Sequence, residues 1–309
     1  MVVRASVVSS RVRTVVGFAV CWYQCLRSPC PTRHWFGPSA CGVRPHSFHV
    51  RFLVGPLEHY KQALKNMEHT LHALASRVPP PQSIPYKDSF VFRYVEKSVH
   101  QALVQKLARL VSGLYATHLL WSAGFVQEQA ALQRILDEIA EDISFLSFSV
   151  IYNDSNESHK TYLDAFFQEE FDPNDVVASS KERAMVPRKK IRAYIDRVAS
   201  GPKGSSKHLD ATRTVSKTFS GYVHAASPQI MDMYGGNPPQ FHVRGLRGTE
   251  RHLEHSADLW NYFYRGILAF GFAAKAFGDE KMFASIRKFA EEFAKATGKD
   301  YQSNEWQET

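Results

Sequence analysis

A chain of 309 residues, 44% of them apolar, is long enough to bury one large hydrophobic core or two ordinary ones, which excludes disorder of the whole. The formal charge of +8 invites a nucleic-acid reading, but seven arginines and no Asp, Glu or Lys fall within residues 1–57, leaving +1 on the rest and no general basic face. All four cysteines (Cys21, Cys25, Cys30, Cys41) lie in that same segment, so the body needs no disulfide framework and fits a reducing cytoplasm.

Residues 1–55 show neither helical nor strand periodicity. Their cysteines, with His34, His46 and His49, lack the close CxxC pairs of a tetrahedral zinc site, so no metal is expected there. The apolar run over 14–22 is too short to span a bilayer and no small-x-small cleavage site follows it. An acid-free, Arg- and Ser-rich leader also has the composition of an organellar transit peptide. An over-extended reading frame, with a true start near Val50 or at Met67, is the plainest account, and residues 1–55 are expected to stand outside the fold.

From Leu57 the apolar positions Tyr60, Leu64, Met67, Leu71, Leu74 and Val78 step by three and four, which predicts a helix ended by Pro79-Pro80-Pro81. A second helix is expected over about 89–122, with Val99, Leu103, Leu107, Leu110 and Leu114 inward and Gly124 as its stop. The clearest amphipathic stripe is Leu132, Leu136, Ile139, Ile143, Leu146 and Val150; its polar partners Glu128, Arg134, Asp137, Glu138 and Glu141 read as a solvated face. A short helix to about Phe171 follows the Asn153-Asp154-Ser155-Asn156 turn. Two helical pieces flank Pro187, and 201–206 reads as a linker. Beyond it Thr212, Val215, Phe219, Tyr222 and Ala226 form a stripe broken at Pro228. The one plausible strand, 240–244, is too short to imply a sheet. From Thr249 the stripe Leu253, Ala257, Trp260, Tyr264, Ile267, Gly271, Ala274 predicts a long aromatic helix buried on more than one side. Asp279 caps the last helix and Gly298 suits its left-handed end. The pattern predicts an all-α helical bundle of about eight helices, divided at the linker into regions 56–200 and 201–309.

No phosphate-cradling glycine loop, GxSxG elbow, HExxH pair or EF-hand spacing occurs. What remains is Lys217-Thr218-Phe219-Ser220-Gly221-Tyr222-Val223-His224, where Ser220, His224 and Ser227 share a helical face beside a glycine that permits close approach. The bland reading of His224 is a core-edge histidine held by a carbonyl. A second group, Arg247-Gly248-Thr249-Glu250-Arg251-His252, places Arg and His at a helix start, where phosphate is favoured. Arg/His spacings of this kind recur at Arg27/His34, Arg44/His49 and Arg93/His100, so position must distinguish them. The acidic and histidine cluster Glu250, His252, Glu254, His255 and Asp258 lacks the Glu-x-x-His pairs of a di-metal bundle and reads as helix-surface charge.

The Ser-x-x-Val-His run late in a helical chain, followed by a proline break and a long aromatic helix, resembles bacterial members of the HEPN superfamily over about 187–298. That resemblance implies a helical fold and, in active members, metal-independent RNA cleavage by an Arg and a His with four to six residues between them. Here the corresponding pair is Lys217 and His224, and an ammonium does not hold phosphate as a guanidinium does. Two expectations therefore stand. One is a cytoplasmic RNA- or nucleotide-binding protein, with His224 or His252 as general base and Lys217 or Arg247 steadying phosphate. The other is a non-enzymatic module that binds a protein partner or its own copy through the aromatic helix at 259–277. Neither requires a cofactor, a metal or a membrane.

Overall fold

The structure, a computed structural model, describes residues 55–169, 183–200 and 206–297. The leader, Gly298 and the linker at 201–205 lie outside the described residues. In chain order the elements are α1 (Gly55–Ala75), β1 (Gln82–Tyr86), β2 (Ser89–Arg93), α2 (Val99–Ala123), α3 (Val126–Ile151), α4 (Glu157–Phe167), α5 (Arg188–Ser200), α6 (Ser206–Val223), α7 (Ser227–Ile230), β3 (Tyr234–Gly235), β4 (Gln240–Phe241), α8 (Glu250–Glu254), α9 (Ser256–Ala276) and α10 (Glu280–Ala296). Eight of these helices have 11 residues or more, so the chain is an all-α bundle carrying two small antiparallel hairpins. No helix among the described residues is long and apolar enough to cross a membrane.

The bundle is built around α3 and α9. Gln129 reaches the His255 carbonyl at 3.3 Å, Asp137 meets Arg265, and the Phe148 and Phe272 rings lie 5.1 Å apart. Sequence numbers rise together along the contact, so the two helices run parallel. On α9, 15 of 21 residues are buried, and on α3, 17 of 26. α2 runs against both, from His100 beside the Ala276 carbonyl to Trp121 beside His252. α1 and α10 close the other side: the Tyr60 ring packs against Phe263 and Phe293, and Trp260 lies between Tyr264 and Phe293. One core cluster runs from Tyr60 to Ala294 and crosses the expected boundary at 201–206.

Several expectations are corrected. The second helix begins at Val99, not 89, because Ser98 and Gln101 form a capping box there, and 89–93 is a strand. The long aromatic helix is broken at His255; the buried side of the short α8 is His252, not Leu253, which faces solvent. Of the two helical pieces flanking Pro187, the second is α5; the first lies mostly outside the described residues, and 183–187 is not helical. The strand at 240–244 shrinks to β4 and pairs with β3, Tyr234 opposite Phe241. The aromatic face of α9 is interior, which removes it as a docking surface.

Candidate functional site

The four residues expected to carry chemistry lie on elements tied to the turn between α2 and α3. Gly124, at φ 83, ends α2, and its carbonyl accepts from Leu246 N–H at 2.7 Å. A side chain on Gly245 would meet the Ala123 carbonyl at 2.8 Å, and one on Gly124 would meet the Arg247 backbone. This seam pins the loop between β4 and α8 to the bundle. The end of α6 is fixed alongside: Gln127 donates to the Gln229 carbonyl at 2.6 Å, and the Gln229 side chain packs onto Gly221, the glycine expected to allow close approach. Asp232 accepts from Tyr222 Oη at 2.9 Å and pairs with Arg251 at 3.3 Å. Burial, followed by the Asp232 carboxylate, raises the Tyr222 hydroxyl above its ordinary value, so it stays a donor.

On this frame His224 is exposed, just past the end of α6, with its backbone N–H on the Ser220 carbonyl. Lys217 is exposed two turns earlier, about 10 Å along the same helix face. Arg247 is exposed on the pinned loop. His252 is buried: Nε2 donates to the Trp121 carbonyl at 2.7 Å, Nδ1 accepts from Gly248 N–H at 3.4 Å, and the ring lies over Trp121. Both nitrogens of that ring are occupied by backbone, which leaves none for a substrate. No hydrogen bond or ion pair links any two of the four.

The loop from Gly235 to Thr249 carries Arg244 and Arg247 and no acidic residue, and neither arginine has an ion pair among the described residues. Beside it Tyr234 and Phe241 meet edge to face at 4.9 Å with both rings about half exposed. His255, with His252 part of the cluster expected to be helix-surface charge, is buried. Its Nδ1 lies 3.1 Å from Asp258 Oδ2 but outside hydrogen-bond geometry. No group of three or more His, Cys, Asp or Glu that could hold a metal ion occurs among the described residues.

The second concentration of polar groups is interior, and it corrects the solvated-face reading of α3 at Asp137 and Glu141, while Glu128 is exposed and Arg134 and Glu138 are partly so. Asp137, Glu141 and Asp142 are buried. Asp137 pairs with Arg265 of α9 at 2.5 Å, and Glu141 accepts from Arg192 Nε of α5 at 2.7 Å. Asp142 meets Arg188 at 2.5 Å and Lys106 of α2 at 2.7 Å. Arg192 also donates to Ser216 on α6 at 3.0 Å. Burial pushes the Glu141 carboxyl up to about 7; the Asp137 carboxylate adds to the rise and Arg192 opposes it. Further along the same stripe, Gln133, one oxygen of Asp137, one of Glu141 and the Tyr262 hydroxyl are buried without hydrogen-bond partners among the described residues. The network ties α3 to four other helices and sets three carboxylates against four cations, which is the arrangement of a clamp. The readable signal for it was four acids within 137–142 and two arginines four apart at 188 and 192, a match across helices that periodicity alone cannot register. Compared with known proteins, the chain matches no family model, no curated protein and no solved structure.

Proposed function

We propose that the protein binds single-stranded RNA or a nucleotide at the bundle end around the β3–β4 hairpin, and that it does so without cleaving it. The observation that carries this reading is the pair of unpaired, exposed arginines, Arg244 and Arg247, beside the half-exposed Tyr234–Phe241 pair. Guanidinium groups for phosphate and aromatic faces for bases are the two parts a sequence-tolerant single-strand site uses. The resemblance of 187–298 to HEPN proteins supports an RNA ligand. Cleavage has less support: His252 is committed to backbone, and Lys217, His224 and Arg247 share no contact.

The test is fluorescence anisotropy of a labelled single-stranded RNA titrated with the full chain at two salt concentrations. Binding that weakens with salt, and roughly tenfold more weakly after Arg244→Ala with Arg247→Ala, is expected for the loss of two phosphate contacts. No binding by the wild type, or equal binding by the double variant, rejects the reading. A second reading, a protein partner on the same surface, rests on Met231, Val243 and Leu253, which add exposed apolar area to a nearly neutral body. Failure to bind RNA leaves that reading standing.

A further inference from the structure

We propose that the protein forms a two-fold dimer by pairing β2 of one copy with β2 of a second, so that two hairpins become one four-stranded antiparallel sheet. The β1–β2 hairpin projects from the bundle with nearly all its residues exposed, Phe90 at 55% and Phe92 at 61%. A two-stranded hairpin with both faces in water is marginal by itself, whereas a sheet of more strands is not.

The register names the free edge. Pro85 lies opposite Phe90, and a proline has no N–H to give the ladder, so Pro85–Phe90 is a pair without backbone hydrogen bonds. Alternation then assigns the ladder bonds to Tyr86–Ser89, Ile84–Val91 and Gln82–Arg93. The backbone groups of Phe90 and Phe92 therefore point away from β1. On the opposite edge Pro85 interrupts the corresponding row, so β1 is blunted, and no other strand among the described residues pairs with β2.

This open edge is complementary to itself. An antiparallel two-fold axis through Val91 sets Phe90 of one copy opposite Phe92 of the other. Their outward N–H and C=O groups then form four hydrogen bonds, two for each Phe90–Phe92 pair. The Phe92 carbonyl already accepts from Arg93 at 3.0 Å and keeps a second lone pair for this. Both phenylalanines project on the same face, where they already meet edge to face at 5.3 Å, so the pairing gathers four rings. Charges agree with the register. Ser89 faces Arg93 of the second copy, each Arg93 being held by Glu169 of its own chain, and no two like charges stand opposite.

The experiment uses the full chain in two forms. Light scattering coupled to size exclusion, over a dilution series, is expected to show a wild-type dimer that dissociates on dilution. Phe92→Pro removes an outward N–H that the β1–β2 ladder does not use, and is expected to give a monomer with unchanged helical circular dichroism. Independently, in a chain whose four native cysteines are serine, Val91→Cys is expected to form a reducible covalent dimer. The two sulfurs meet at the axis, where paired Cα atoms approach to about 4.5 Å. Ile84→Cys, on the far strand, is expected to form none. A wild type that is monomeric at every concentration, as it would be if another part of the same chain covered β2, overturns the proposal. So does a dimer that persists in Phe92→Pro without a Val91→Cys crosslink.

Discussion

His252 donates to one backbone carbonyl and accepts from one backbone N–H, 131 residues and four residues away in sequence. His252→Ala strands both partners beneath Trp121, and a loss of about 1–3 kcal/mol is expected in urea unfolding, with RNA binding retained. A variant of wild-type stability would show that the ring is not a clamp. Glu141 offers a pH test. Its folded pKa lies above the ordinary carboxyl value, chiefly through burial, so the folded state holds the proton more tightly. The stability this group contributes is fully present below about pH 4.5 and is lost as pH rises through about 7, by up to roughly 3 kcal/mol. Glu141→Gln should remove that decline, so the variant gains on the wild type between pH 5 and pH 7.5; parallel profiles would refute the assignment. These residues were poorly legible in the sequence for a physical reason. A polar stripe on a helix looks the same whether it faces water or an arginine from another helix. Asp137 finds its partner 128 positions away.

At the scale of elements, the helices were legible wherever one apolar stripe sufficed. The inward set beginning at Val99 matched α2, and Leu136, Ile143 and Leu146 matched the buried side of α3. The hairpin was missed although Ser98-x-x-Gln101 marks the true helix start and Lys87-Asp88 marks a turn, with Lys87 at φ 53. Alternation over five residues is a weak signal beside a 25-residue helix. The parallel pair α3–α9 makes its own prediction. Arg265→Leu leaves Asp137 buried without its nearest cation, and should cost about 3 kcal/mol. Arg265→Leu combined with Asp137→Leu should recover most of the loss, since an apolar pair of similar volume replaces buried charge without a desolvation penalty. Additive losses in the double variant would place the two groups in separate environments.

For the molecule as a whole, one core cluster of described residues joins elements distant in sequence and includes positions on both sides of 201–206, where composition suggested a division. Burial of α3 is decided by α9, more than 100 residues later. That distance bears on how the chain is made. During synthesis Asp137 and Glu141 emerge long before Arg192 and Arg265, and at about 5–20 residues per second the interval to Arg265 lasts roughly 6–25 s. Through that time Asp137, on the inner face of α3 among leucines and isoleucines, lacks the Arg265 guanidinium that neutralises it in the folded chain. Such a helix cannot bury itself, so the first half waits on the ribosome for the second, and a chain released at residue 200 should be captured by chaperones or degraded.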